Sequence, residues 1–222
     1  MSRFLLVIVL LLIFIALSTF NPKNVKYKNI FLSIKNIEIT NTEILNSEEL
    51  KVIFYKEFSK ENMIFLDVNK IKKITSEVDL IDKIEIKKKY PSSLVVKIFE
   101  KKPIAIFFEK KKFFYITNKG DIIDFFESPL LKHLPDVIGS RKDFMEVFKV
   151  LKNTNYPLDD IKSYQQHAIG RWDIILNNNK TIKLPKENFE ESIQNYLKIY
   201  NDPKFNKYSI FDYRIKDQLI IN

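Results

Sequence analysis

The sequence predicts an α+β fold: one N-terminal apolar helix, a compact β-α-α-β-β unit, and then a mostly antiparallel β-region with flanking helices. Three observations carry this. Residues 4–20 (FLLVIVLLLIFIALSTF) hold no charge. Residues 34–99 pass from period-two to helical spacing and back, in the order β-α-α-β-β. Beyond Pro103 the texture changes to short apolar runs cut by polar turns, with two helical stripes among them.

The first stretch would make a helix of about 25 Å, within the range that spans a bilayer. Two readings compete. A cleaved signal peptide would use the short apolar run, with Ala16-x-Ser18 as a cleavage site. A retained signal anchor would keep it, with the aromatic Phe20 at the far interface. Only Arg3 and the amino terminus precede it, whereas Lys23, Lys26 and Lys28 follow, so charge leaves the orientation open. Residues 21–33, basic and containing Pro22, read as a linker.

Within the compact unit, residues 34–40 (IKNIEIT) place Ile37 and Ile39 on one face of a strand. Asn46, with Glu49 three residues later, forms a capping box. Leu50, Ile53, Phe54 and Phe58 are the expected stripe of the first helix. Asp67 can cap a second helix carrying Val68, Ile71, Ile74 and Val78. Residues 82–89 alternate Ile84 and Ile86 with charge. The turn Tyr90-Pro91-Ser92-Ser93 leads into residues 94–99, with Leu94, Val96 and Ile98 on one side.

Pro103 marks a boundary, because proline interrupts strand pairing. Residues 104–108, 113–117 and 121–126 follow as strands joined by EKKK and NKG turns. Phe144, Val147, Phe148 and Leu151 give a helix. Residues 171–176 and 181–184 flank a hairpin turn, and Phe189, Ile193, Tyr196, Leu197 and Tyr200 give the last helix. Residues 209–221 read as a terminal strand with Phe211, Tyr213 and Ile215 alternating, followed by Leu219 and Ile221. Nothing after it covers it, so its free N–H and C=O groups could take a strand from another chain. The plain alternative is an ordinary edge blunted by Lys216 and Asp217.

Composition narrows function more than it assigns it. The chain of 222 residues has no Cys, two His and three Gly. That excludes disulfide scaffolds, thiolate metal sites and cysteine catalysis, and leaves little room for His-rich metal centres. Gly120, Gly139 and Gly170 are too far apart to cradle a phosphate. The net charge of +9 could suit nucleic acid or an anionic membrane. The excess is mostly Lys in an Ile-, Asn-, Phe- and Tyr-rich chain, and no nucleic-acid motif accompanies it. His133 and His167 lie in loop-like stretches, Ser128 and Ser140 lack the glycines of a nucleophile elbow, and Asp159-Asp160 is too sparse for a Ca²⁺ loop. Trp172, beside Arg171, reads as a core anchor rather than a recognition pair.

Residues 81–108 (IDKIEIKKKYPSSLVVKIFEKKPIAIFF) resemble a segment of the bacterial cell-division family FtsQ, called DivIB in Gram-positive bacteria. The matching positions are Lys87-Lys88, Tyr90-Pro91, Leu94, Glu100, Pro103 and Ala105. Residues 37–40 and 62–67 (NMIFLD) resemble the family's POTRA domain. ITNKGDIID (116–124), LPDVIG (134–139), RWDIILNNNKTIKLP (171–185) and FDYRI (211–215) resemble later steps in the family order. Tyr90 stands where the family commonly has Trp, and Tyr213 and Ile215 replace its usual Leu and Tyr.

The resemblance implies a cytoplasmic tail (1–3), a retained transmembrane signal anchor (4–20), a juxtamembrane linker (21–33), a POTRA domain (34–101) and an FtsQ-type C-terminal β-domain (102–222). It implies a single-pass type II protein of the bacterial inner membrane, its bulk in the periplasm at the division septum. Its role would be a non-enzymatic divisome scaffold without cofactor, metal, nucleic-acid or small-molecule site. Its partners would be FtsB and FtsL, with FtsK and septal wall synthesis proteins as further candidates. The implied FtsB-type contact is the terminal strand edge: Phe211, Asp212, Tyr213, Arg214, Ile215, Lys216, Leu219 and Ile220. A second contact, with FtsK or membrane, would use Lys88, Tyr90, Pro91 and Leu94. The other readings are a soluble periplasmic enzyme with a cleaved signal peptide, and a POTRA-type escort for outer-membrane assembly.

Overall fold

The computed structural model describes residues 3–19, 32–59, 61–109 and 111–222. Most of the expected linker lies outside the described residues, as do Met1, Ser2 and Phe20. Helix α1 (Arg3–Thr19) forms where the apolar run predicts it, with Phe4, Phe14 and Leu17 among its exposed side chains. It is 17 residues long, and no helix among the described residues is long and apolar enough to cross a membrane. The expected transmembrane span is therefore not supported by the described fold.

The remaining chain divides into a unit ending at Phe99 and a unit Glu100–Asn222. The first contains β1 (Asn36–Thr40), α2 (Ser47–Phe58), α3 (Val68–Ser76), β2 (Ile81–Lys89) and β3 (Ser93–Glu100). Its sheet runs β1-β3-β2, with β1 parallel to β3 and Ile37 opposite Leu94. The helices start where their caps are. Asn46 Oδ1 accepts from the Glu48 and Glu49 N–H groups at 3.0 and 3.4 Å, and Asn46 Nδ2 donates to Glu49 Oε1 at 3.0 Å. Asp67 Oδ1 accepts from Asn69 N at 2.9 Å. These bonds satisfy N–H groups that a helix start leaves unpaired.

Ile37, Leu94, Val96 and Ile98 meet Leu50, Phe54, Phe58 and Ile71 in one core. Ile53 departs from its expected place and is 50% exposed. The buried face of α2 repeats every four residues, at 50, 54 and 58, so the flank at 53 turns outward with Val52 and Tyr55.

The second unit contains β4 (Pro103–Glu109), β5 (Lys112–Thr117), β6 (Ile122–Asp124), β7 (Asp136–Ile138), α4 (Arg141–Asn153), β8 (Ile161–Gln166), β9 (Trp172–Leu176), β10 (Thr181–Lys183), α5 (Phe189–Ile199), β11 (Ile210–Asp212) and β12 (Ile220–Ile221). They form one nine-stranded sheet in the order β12-β11-β10-β9-β8-β7-β4-β5-β6. Two crossovers are helical: α4 carries the chain from β7 to its parallel neighbour β8, and α5 carries it from β10 to its parallel neighbour β11. Phe144, Val147, Phe148 and Leu151 of α4 and Ile193 and Tyr196 of α5 pack on Val137, Tyr164, Ile174, Ile182 and Phe211 of the sheet.

The end of the chain differs from the single strand expected over 209–221. It folds back on itself: β11 pairs with β12, and the turn between them includes Asp217 at φ +58°. The alternation of Phe211, Tyr213 and Ile215 hid this, because period-two spacing continues into a turn without marking where pairing stops.

Candidate partner-binding edge

The sheet ends at β12, and the path to that edge starts at the core. Ile182 of β10 lies opposite Phe211 of β11, which lies opposite Ile221 of β12. Phe211 is 1% exposed, its ring set edge-on to Tyr196 at 5.0 Å between centroids. Burial, and then the nearby Asp160, push the Tyr196 hydroxyl up to about 12. Tyr213 N–H donates to Lys183 O at 2.9 Å, which extends the β10–β11 pairing beyond β11. The Tyr213 hydroxyl is buried without a hydrogen-bond partner among the described residues, and burial raises its pKa far above the ordinary tyrosine value.

The backbone bonds of the hairpin settle which groups of β12 are free. Ile210 N donates to Asn222 O at 3.0 Å, and Asn222 N donates to Ile210 O at 3.2 Å. Ser209 N also donates to Asn222 O, at 2.7 Å. Residues 210 and 222 are thus a hydrogen-bonded pair, as are Asp212 and Ile220 two steps away; the intervening Ile221 turns its N–H and C=O away from β11. Leu219 has the same parity. This outward row is the main chain left open at the edge of the sheet.

The expected contact residues fall into two groups. Phe211, Asp212 and Tyr213 are buried, and β11 is flanked by β10 and β12, so none of them forms a free edge. That corrects the reading of these three as edge residues: β12 occupies the side where a guest strand would have docked. Arg214, Ile215, Lys216 and Ile220 are exposed and Leu219 is half-buried. Ile221 was missing from the expected set, and only the register of β12 singles it out.

Charge at the site is already partly paired. Arg214 Nε donates to Asp212 Oδ1 and Oδ2 at 2.7 and 2.8 Å, Arg214 Nη2 also bonds Oδ2, and the Arg214 N–H reaches Oδ1 at 3.1 Å. These bonds from Arg214 hold the Asp212 carboxyl below the usual carboxylate range, with Lys183 adding to the effect. Beside the turn, a groove of about 780 Å³ runs between α5 and residues 213–219, lined by Glu187, Glu191, Lys198, Tyr213, Lys216 and Leu219.

In the first unit the expected contacts are not a common surface. Leu94 is fully buried in the core, which corrects its reading as a contact residue: its side of β3 is the side the helices cover. Tyr90 is 60% exposed, Pro91 is exposed, and Tyr90–Pro91 is a cis peptide bond. The Lys88 ammonium donates to the carbonyls of Ile64 and Leu66, both at 3.4 Å. The two histidines are not brought together: His167 Nε2 lies 2.8 Å from Asp173 Oδ2, whereas His133 lines a separate cavity with Phe148 and Leu158.

Residues 105–214 match a family model described as cell division protein FtsQ/DivIB, C-terminal, and residues 32–101 match one described as POTRA domain, FtsQ-type. The cell division protein FtsQ of Rickettsia conorii is 28% identical over 182 residues, covering 79% of this chain and 67% of that protein. That of Rickettsia prowazekii is 29% identical over 175 residues, covering 78% and 64%. The matched part is thus about two thirds of the length of these relatives. A solved structure of the major extracytoplasmic domain of the cell division protein DivIB from Geobacillus stearothermophilus aligns with 49% of this chain and 98% of that chain, at 15% identity and a TM-score of 0.35.

Proposed function

Since the chain belongs to the FtsQ/DivIB family of cell-division proteins, we propose that it is a septal scaffold that captures its partners by strand addition at β12. The partners are FtsB and, through it or beside it, FtsL. The observation that carries this reading is the open main chain of Ile221 at the end of a nine-stranded sheet. A guest strand gains backbone hydrogen bonds there, and its side chains meet Ile220 and the groove beside α5. Lys216, exposed at the turn, suits acidic residues of the guest. Arg214 serves differently, because its guanidinium is held by Asp212.

The anchor in this reading is helix α1, which falls short of a full span among the described residues. Its residues after Arg3 carry no charge, and at 17 residues it is at the short limit of the ~17–25 that span a bilayer. In this reading the helix is retained, as a type II anchor with both folded units in the periplasm.

The test is capture of an FtsB-type partner by the full chain and by two proline variants. Ile221→Pro removes an N–H that faces away from β11, a position where an edge strand tolerates proline. Partner capture should fall at least about tenfold, with only a small drop in the urea midpoint from the lost packing of the Ile221 side chain. Ile220→Pro removes a bond within the hairpin and should lower both. Undiminished capture by Ile221→Pro rules out strand addition at this edge.

A further inference from the structure

The three-stranded sheet of the first unit is covered on one face only. Leu94, Val96 and Ile98 of β3 point to α2 and α3, so Val95, Lys97 and Phe99 point the other way. On the same open face β2 presents Lys83, Glu85, Lys87 and Lys89, and β1 presents Asn36 and Glu38. Two of the lysines have carboxylate partners: Lys83 with Glu85 at 2.7 Å and Lys89 with Glu38 at 3.3 Å. Lys87 and Lys97 form no ion pair among the described residues, although Lys97 is near enough to Glu85 to help hold its carboxyl below the usual range. The ammonium groups of Lys83 and Lys97 lie over the Phe99 ring, 5.3 and 5.0 Å from its centre. The face thus carries a net positive charge and holds the half-buried Val95 and Phe99 beside its lysines.

We propose that this open face lies against the anionic surface of the bilayer that holds α1. The inference rests on the anchoring of α1 proposed above. Residues 20–31 separate α1 from the unit, and even fully extended a segment of that length reaches only about 45 Å. Tethering makes docking an intramolecular event, so a modest attraction per lysine is enough to hold the face down. Anionic headgroups are the occupant that matches lysines spread over an open sheet face. Surface attraction of this kind fades within about 10 Å at moderate salt, so the face must sit close to the bilayer for it to act.

The chain has no cysteine, so Asn36→Cys gives a single labelling site on this face. The full labelled chain is reconstituted in phosphatidylcholine nanodiscs with and without phosphatidylglycerol, and energy transfer to a headgroup-labelled lipid is measured. Transfer should rise in the anionic discs, fall with added salt, and be at least about fivefold weaker in Lys87→Glu/Lys97→Glu. The urea midpoint of that variant should stay within error. Equal transfer in neutral and anionic discs, or no effect of charge reversal, overturns the proposal. If the variant instead loses capture of a division partner and its transfer is unchanged, the face binds an acidic protein and the lipid assignment is wrong. Flotation of the unlabelled chain with vesicles tests the anchor separately. A chain that fails to float defeats both readings, and one that floats without charge-dependent transfer defeats only this one.

Discussion

The carboxylate of Asp212, at the end of β11, grips the guanidinium of Arg214 two residues on, with Nε 2.7 and 2.8 Å from its two oxygens. The pair fixes the point where the chain leaves the sheet and turns toward β12. Because Arg214 holds Asp212 below its ordinary pKa, the contribution of the pair to stability is complete above the unfolded-state value of about 3.9 and is lost as pH falls through the lower folded value. Asp212→Asn should therefore be less stable than the parent at neutral pH. The gap should close on acidification, as read from urea midpoints between pH 7 and pH 2.

Gly139 has φ +151°, and a Cβ there would lie 2.5 Å from Gln166 Cβ and 2.8 Å from Trp172 Cη2. Neither neighbour can move easily, since Trp172 is 3% exposed and Gln166 Oε1 accepts from Ser140 N at 2.7 Å. Gly139→Ala should cost about 3 kcal/mol or more. At Gly120 the nearest atom to a new Cβ is Met145 Cγ at 3.6 Å, so Gly120→Ala should cost only its backbone strain. Trp172 is the sole tryptophan, so its fluorescence follows both variants during denaturation.

Leu94→Ala separates packing from docking. The side chain has no exposed surface, and its loss should destabilise the first unit by about 2–5 kcal/mol. Tyr90→Ala, at a 60% exposed site, should leave the thermal midpoint nearly unchanged. Thermal denaturation of the two variants by circular dichroism checks both outcomes.

Asn46→Ala removes the acceptor for two N–H groups at the start of α2 and the donor to Glu49. The expected loss is about 1 kcal/mol. Asn46→Asp keeps the acceptor and places a negative charge at the helix start, so it should restore most of that loss.

Much of the fold was legible because short-range chemistry specified it. Asn46 and Asp67 mark helix starts through their own hydrogen bonds, and Leu94, Val96 and Ile98 announce a buried strand face by alternation alone. Strands β7 and β8 were not legible as strands, although both lie inside the nine-stranded sheet. The first is three residues long, and the second reads IKSYQQ, whose polar residues carry little apolar rhythm. Their parallel pairing is made across α4, so no local turn announces it. The edge failed for a related reason. Side-chain pattern identified residues that favour a sheet, but not which of them pair inward, and only the bonds between residues 210 and 222 decide that Ile221 faces out.

The arrangement at β12 also dictates the grammar of any ribbon that joins it. Successive positions of such a ribbon would alternate between the flank bearing α5 and the bare flank beside Ile220. Sliding it by a single position would swap every inward side chain for an outward one. Discrimination between guests is thus set by an odd-or-even rule, and a sequence with the right composition but the wrong phase would be rejected.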